Sequence, residues 1–214
     1  MSVEVVISDF GGVLTSPLVE SFASVQDDTG VPMEELGKAM ARIEAEDGAH
    51  PLFELETGRI AEVDFLAKLA DALEPAIGHR PEMHRFAEIY FEALNPNPEM
   101  IDLMRELKHS GYRMAMLTNN VREWEPRWRS MLPVDEIFEL VVDSAFVGMR
   151  KPDAEIFELT LERLGGVSPA SCLFVDDIEA NVEAARALGI QAVHFRHQEQ
   201  AITEIREALA NGLS

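Results

Sequence analysis

Apolar residues along the chain follow two rhythms. Five short runs are continuously apolar or β-branched and stop at polar residues or follow a helix stop. They are Val3–Ser8 before Asp9-Phe10-Gly11-Gly12, Tyr112–Leu117 before Thr118-Asn119-Asn120, Glu139–Val142 before Asp143-Ser144, Cys172–Val175 before Asp176-Asp177, and Gln191–Phe195 after Gly189. Such runs predict strands buried on both faces, as in a parallel sheet. Between them apolar positions recur at helical spacing: Met100, Leu103, Met104 and Leu107; Phe157, Leu161 and Leu164; Ile178, Val182, Ala185 and Leu188; Ile202, Ile205 and Leu209. Each set lines one face of a helix. Strand–helix alternation from about residue 97 onward predicts an α/β fold, a Rossmann-like doubly wound sheet of five parallel strands.

Residues 17–95 break that alternation. Their apolar faces, such as Leu18, Phe22 and Val25 or Phe65, Leu69 and Leu73, are helical only, and Gly30-Val31-Pro32, Gly48 to Pro51, Thr57-Gly58 and Gly78 to Pro81 separate them. The predicted organisation is a core domain of residues 1–16 and 96–214 with a helical cap inserted at 17–95. Asn95-Pro96-Asn97-Pro98 is the expected return hinge, stiffened by its prolines.

Composition narrows the function classes. The chain has 214 residues, 47 % apolar and 27 % charged, enough to bury a large core without disulfides or structural metal. Its 39 acidic residues against 18 Lys plus Arg give a formal charge of −21, and no basic run exists to bind nucleic acid or an anionic membrane. Cys172 stands alone between apolar neighbours and reads as an inert buried thiol. Residues 1–15 lack the features of a signal peptide, and no run approaches the roughly 18 apolar residues of a spanning helix. The expectation is a cytoplasmic monomer or homodimer. The six histidines form no zinc pattern, and Trp124 and Trp128, four apart, share one helix face that either lines a pocket or, as expected of aromatics at helical spacing, packs in the core.

A parallel sheet brings its strand ends to one edge, so Asp9, Thr118-Asn119, Lys151 and Asp176-Asp177 are expected to converge. An attacking carboxylate, a hydroxyl and amides for anionic oxygens, a fixed cation and paired acids for a divalent metal are what phosphoryl transfer requires. In this order the set resembles the haloacid dehalogenase-like (HAD) hydrolase superfamily. Its D-x-D-G-(T/V) motif stands here as Asp9-Phe10-Gly11-Gly12-Val13, its second motif as Met116-Leu117-Thr118, its lysine as Lys151 of Arg150-Lys151-Pro152-Asp153, and its acidic motif as Phe174-Val175-Asp176-Asp177 with Asn181 one turn on. The stretch Gly148–Pro152 through Asn181 to Gly189-Ile190 is similar to the subgroup holding the amino-terminal phosphatase domain of soluble epoxide hydrolase and bacterial sugar-1-phosphate phosphatases.

The resemblance implies a Mg²⁺-dependent phosphatase of a small phosphorylated metabolite such as a sugar phosphate. Asp9 would attack phosphorus to form an aspartyl-phosphate that water then hydrolyses. Thr118 and the backbone following it at Asn119 would hold the phosphoryl oxygens, and Lys151 would neutralise charge on nucleophile and phosphate. Asp9, the Gly11 carbonyl and Asp177 would bind the metal, with Asp176 and water completing its shell.

Gly11 departs from the family pattern, because the aspartate expected there is the general acid/base, a group worth roughly 10²- to 10⁴-fold in rate. A substrate with a good leaving group, an acid supplied by the cap (Glu20, Glu54 or Glu56), or a non-catalytic metal- and phosphate-binding role would each accommodate the change. A 2-haloacid dehalogenase is another alternative, since halide leaves without a proton. Against it stand the intact Asp176-Asp177 pair and the lack of any arginine between Asp9 and Arg42.

Overall fold

A computed structural model describes residues 2–211 of the chain. Strands β1 (Val5–Ser8), β2 (Arg113–Thr118), β3 (Leu140–Asp143), β4 (Cys172–Asp176) and β5 (Gln191–His194) form one parallel sheet in the order β3-β2-β1-β4-β5. The five predicted runs are these strands, each boundary within two residues of expectation. The differences concentrate at the polar ends. Thr118, Asp143 and Asp176 are the last rungs of their ladders, where Thr118 pairs with Asp143 and Asp176 with His194. Ladder hydrogen bonds therefore fix residues that the sequence pattern places in the following loops.

Between β1 and β2 lie α1 (Leu18–Thr29), α2 (Met33–Asp47), α3 (Pro51–Glu56), α4 (Glu62–Ile77), α5 (Phe86–Ala93) and α6 (Pro98–His109). After β2 come a 3₁₀ turn at Arg122–Trp124, α7 (Glu125–Met131) and α8 (Val134–Ile137); α9 (Ser144–Val147) and α10 (Ala154–Arg163) follow β3, α11 (Glu179–Ala187) follows β4, and α12 (Gln198–Asn211) follows β5. Val5 and Ile7 of β1 share a cluster with Leu117, Phe174, Phe157 of α10 and Ala185 of α11. Val6, Met116 and Val175 face the other way, toward Leu103 of α6 and Ile205 of α12. Alternate residues thus bury both sheet faces, which is why these strands read as unbroken apolar runs.

The segment from 18 to 93 is helical, as expected, with α1 packed on α5 and α2 on α4. Its two connections to the sheet run side by side: Thr15 and Pro96 form an antiparallel bridge, Ser16 N–H donates to Asn95 O (2.7 Å), and Asn97 N–H donates to Leu14 O (2.8 Å). Asn97 also caps α6, its Oδ1 accepting from Met100 N–H at 3.4 Å. Cys172 is buried, and burial pushes its thiol up to about 11, the inert behaviour its neighbours predicted. Among the described residues, no helix is long and apolar enough to cross a membrane.

Candidate active site

The carboxyl ends of β1, β2 and β4 bring the expected residues to one edge. Asp9 continues the ladder beyond β1, its N–H donating to Val175 O at 2.9 Å. Lys151 arrives from the loop between α9 and α10 and is only 1 % exposed. Its Nζ lies 2.8 Å from Asp9 Oδ1 and 2.6 Å from Asp176 Oδ2. Two carboxylates answer the cost of burying that ammonium. Burial works against the charge, yet Asp176 and Asp9 hold the Lys151 pKa above the usual lysine value.

Asn119 fixes the other end of the lysine. Its Nδ2 donates to Lys151 O (2.9 Å) and its Oδ1 accepts from Lys151 N–H (2.8 Å), so the amide side chain is spent on holding that loop. Thr118 Oγ1 has only a long contact to Asn119 O at 3.5 Å and remains a free hydroxyl beside Asp9.

The two aspartates of the acidic pair differ in their engagements. Asp176 Oδ1 accepts from Ile178 N–H (2.8 Å) and Asn181 Nδ2 (3.0 Å), and Oδ2 takes the lysine. Asp177 is half-buried, and its backbone carbonyl, not its carboxylate, meets His194 Nε2 at 3.1 Å. Oxygens of Asp9, Asp176 and Asp177 all come within 4.8 Å of one another. Three carboxylates around one lysine leave an excess of negative charge. Burial, followed among the raising causes by the charges of Asp176 and Asp177, pushes Asp9 up to about 8; burial followed by Asp176 pushes Asp177 up to about 6. An all-oxygen, over-charged donor set of this kind fits a hard divalent cation such as Mg²⁺.

Gly12 makes this approach possible. Its φ is +76°, and a Cβ there would sit 2.2 Å from Asp177 Oδ2. Gly12 is the glycine of the D-x-D-G motif, and nothing in the sequence says what it faces. Gly11 has a different neighbour: a Cβ on it would lie 3.1 Å from both Leu18 Cδ atoms, so the first residue of α1 leans over the spot where a longer side chain would emerge.

Above this floor is a cavity of about 480 Å³, reached from below by Asp9, Thr118, Lys151 and Asp177 and walled by side chains of the helical segment. Of the three candidate acids, only Glu56 lines it; Glu20 is exposed, and Glu54 pairs with Arg59 (2.8 Å) outside it. Glu56 Oε2 lies 2.7 Å from Arg150 Nε, and burial still raises its pKa. Tyr90 lies in the same wall; burial, then the charges of Asp9, Glu56 and Asp177, push its hydroxyl well above the ordinary phenol value and keep it neutral.

The two tryptophans part company. Trp128 is wholly buried against Phe10, ring centroids 5.4 Å apart, as expected. Trp124 instead sits in the 3₁₀ turn, lines the cavity beside Tyr90 (4.9 Å) and donates its Nε1–H to Glu62 Oε1 at 2.7 Å. Helical spacing could not separate them, because a turn intervenes between the two positions.

A family model described as haloacid dehalogenase-like hydrolase matches residues 3–189. The chain belongs to that family. It is 32 % identical over 200 residues to a phosphatase of Mycobacterium tuberculosis, covering 90 % of this chain and 87 % of that protein. It is 35 % identical over 121 residues to a sesquiterpene phosphatase of Aspergillus oryzae, covering 53 % and 58 %, and 27 % identical over 196 residues to a phosphorylated carbohydrates phosphatase of Thermotoga maritima, covering 89 % and 84 %. Other relatives are far longer: the matched segment is 10 % of mouse acyl-CoA dehydrogenase family member 10. Solved HAD folds superpose along nearly the whole chain. A HAD-like hydrolase from Porphyromonas gingivalis gives a TM-score of 0.68 at 24 % identity, covering 98 % of both chains, and a 2-haloacid dehalogenase from Pseudomonas syringae gives 0.65 at 19 %, covering 98 % and 99 %.

Proposed function

We propose that this HAD-family hydrolase is a Mg²⁺-dependent phosphomonoester phosphatase, acting through an aspartyl-phosphate on Asp9. One observation carries the reading: a desolvated Lys151 holds Asp9 Oδ1 at 2.8 Å while two further carboxylates gather within 4.8 Å. Phosphatase names among the relatives support it, and those names differ in the organic part of the ester.

Lys151 steadies the Asp9 carboxylate as the nucleophile and keeps a positive charge beside the incoming phosphoryl group. Thr118 Oγ1 and the backbone N–H of Asn119 hold the equatorial oxygens, with the Asn119 side chain locking Lys151 in place. Asp9, the Gly11 carbonyl and Asp177 would hold Mg²⁺, and Asp176, already engaged by Lys151, Ile178 and Asn181, orients the group from behind. When bound, the metal supplies charge neutralisation for the phosphate and for the crowded acids. Residues 17–95 serve as the cap that closes water out, and Glu56 is the acid of that cap nearest to hand for the proton Gly11 does not provide.

The paired acids and the buried lysine also bear on the dehalogenase alternative, which has no need of a divalent-cation site. The test is inorganic phosphate release from para-nitrophenyl phosphate by the purified chain, with Mg²⁺ and with EDTA. Metal-dependent release that vanishes in Asp9→Asn supports the reading; halide release from a 2-haloacid in EDTA, with no phosphate release, would replace it.

A further inference from the structure

The cavity wall is hydrocarbon almost throughout. Leu18, Phe22, Met40, Phe65, Leu66 and Phe91 face it, and Trp124 and Tyr90 add aromatic surface. Its volume of about 480 Å³ lies inside the roughly 300–1,000 Å³ range of organic-ligand sites. The apolar surface also reaches the reacting end, since Leu18 covers Gly11, one residue beyond the Asp9-Phe10 pair. On the helical segment Met33 lines the cavity while remaining 41 % exposed, and Ile178, next to Asp177, lines it at 52 % exposed, so its rim is apolar too.

Most polar side chains in the wall are engaged within the protein, with the Tyr90 hydroxyl left over. Glu56 holds Arg150, Glu62 takes the Trp124 indole N–H, Asn119 holds the Lys151 backbone, Asn120 Oδ1 accepts from Val121 N–H, and Asn181 serves Asp176. The sugar of a sugar phosphate would give up water along this wall and recover few of its hydrogen bonds, at a cost for each hydroxyl buried unpaired. A hydrocarbon group meets no such penalty and gains with every methylene removed from water.

Resting on the phosphatase reading above, we infer that the ester cleaved here carries a hydrocarbon group of alkyl or isoprenoid kind, seated against Leu18, Phe22 and Trp124, in place of a sugar. The phosphate lies on the floor with Lys151 and Thr118; as Asp9 takes the phosphoryl group and the ester P–O bond breaks, Glu56 gives its proton to the departing alkoxide, and the apolar chain runs along the wall toward Met33. Specificity then comes from buried area, with the Gly11–Leu18 contact giving the first carbons of the leaving group an apolar seat.

The experiment measures kcat/KM of the full chain with Mg²⁺ on butyl, hexyl, octyl and decyl phosphates below their micelle concentrations. Glucose-6-phosphate is the polar competitor, and para-nitrophenyl phosphate reports the basic activity. The expected result is a rise of about fourfold per added methylene until the cavity is full, with decyl phosphate at least about a hundredfold better than glucose-6-phosphate. A flat or falling series, or glucose-6-phosphate matching decyl phosphate, overturns the proposal while nitrophenyl phosphate turnover leaves the phosphatase reading standing. Without turnover of nitrophenyl phosphate the phosphatase reading fails first, and the proposal falls with it. Met40→Gln and Leu66→Gln, two half-buried wall positions checked for folding by circular dichroism, should each lower decyl phosphate kcat/KM about tenfold more than that of nitrophenyl phosphate; equal losses on both substrates count against the hydrocarbon seat.

Discussion

The floor and the roof of this cavity are built on opposite principles. The floor is a small set of charged groups at strand ends, each held by named bonds: Lys151 between two carboxylates, Asp176 by a backbone amide and Asn181, and Asn119 by the lysine's own backbone. The roof is a broad apolar surface on helices, where few atoms make a directional contact with anything a substrate would offer. Chemistry that depends on positions to a fraction of an ångström sits on the rigid half, whereas selection by shape and area sits on the helical half. A change in the floor should therefore affect all substrates alike, and a change in the roof should affect them unequally.

The largest expected effect is in the floor. Asp9→Asn removes the nucleophile and should lower phosphate release by about 10⁴-fold or more on every ester tested. Its melting temperature should hold or rise, because the variant no longer buries a carboxylate among other acids. A surviving rate within tenfold of the parent would mean that Asp9 does not attack phosphorus.

Next comes Gly12→Ala. The new Cβ would be forced to within 2.2 Å of Asp177 Oδ2 from a backbone at φ +76°, so Asp177 must swing away. Turnover should drop by about 10²-fold with a higher Mg²⁺ requirement, which a metal titration at fixed substrate would show. An unchanged metal requirement would remove Asp177 from the ligand set.

The seam between floor and roof offers a smaller, opposite effect. Leu18→Ala with Gly11→Asp opens room for an acid at the leaving-group side, and should raise turnover of esters with poor leaving groups by about tenfold. It should also weaken the preference for hydrocarbon esters. Gly11→Asp alone should gain less, because the carboxylate then meets the Leu18 methyl groups at 3.1 Å from its Cβ. If the single and double variants behave identically, Leu18 does not govern that position.

The smallest effect concerns stability and lies outside the cavity. Asp143 caps α9 through Ala145 N–H at 3.0 Å, yet its Oδ2 and the nearby Trp128 Nε1 are both buried without a hydrogen-bond partner. Burial pushes its pKa up to about 7 from an ordinary 3.8, even though the capping amide of Ala145 favours the charge. A carboxyl raised in this way favours the fold below its unfolded value, and that contribution is lost as pH rises through about 7. Asp143→Asn stays neutral and should gain on the parent by about 1–2 kcal/mol between about pH 5 and pH 8. Chemical denaturation at both pH values with EDTA present measures it; a constant difference across pH would place the Asp143 pKa elsewhere.

The same division explains what could be read from the sequence. Asp9, Thr118, Asp176 and Asp177 each end or follow an apolar run, and parallel topology then dictates that they meet, whereas Lys151 was legible only from its motif, Arg150-Lys151-Pro152-Asp153. Fold and floor were accordingly legible. The roof was not, because an apolar residue at helical spacing is equally suited to a core or a cavity wall: Val25 of α1 is wholly buried, whereas Phe22, one turn earlier, lines the cavity. The same ambiguity hid the difference between Trp124 and Trp128, and the one between Glu56 and its neighbour Glu54. Gly12 escaped for another reason. Its role depends on Asp177, 165 residues later in the chain, and only the registered pairing of β1 with β4 brings them together.

The paired crossing at Thr15 and Pro96 has an evolutionary consequence. Everything from Ser16 to Asn95 leaves and re-enters through one doorway, whose two jambs are already hydrogen-bonded to each other. A segment attached in that way can be lengthened, shortened or exchanged for another without disturbing the strands that carry the charged groups. Inheritance can then keep the charged strand ends and exchange the helices above them.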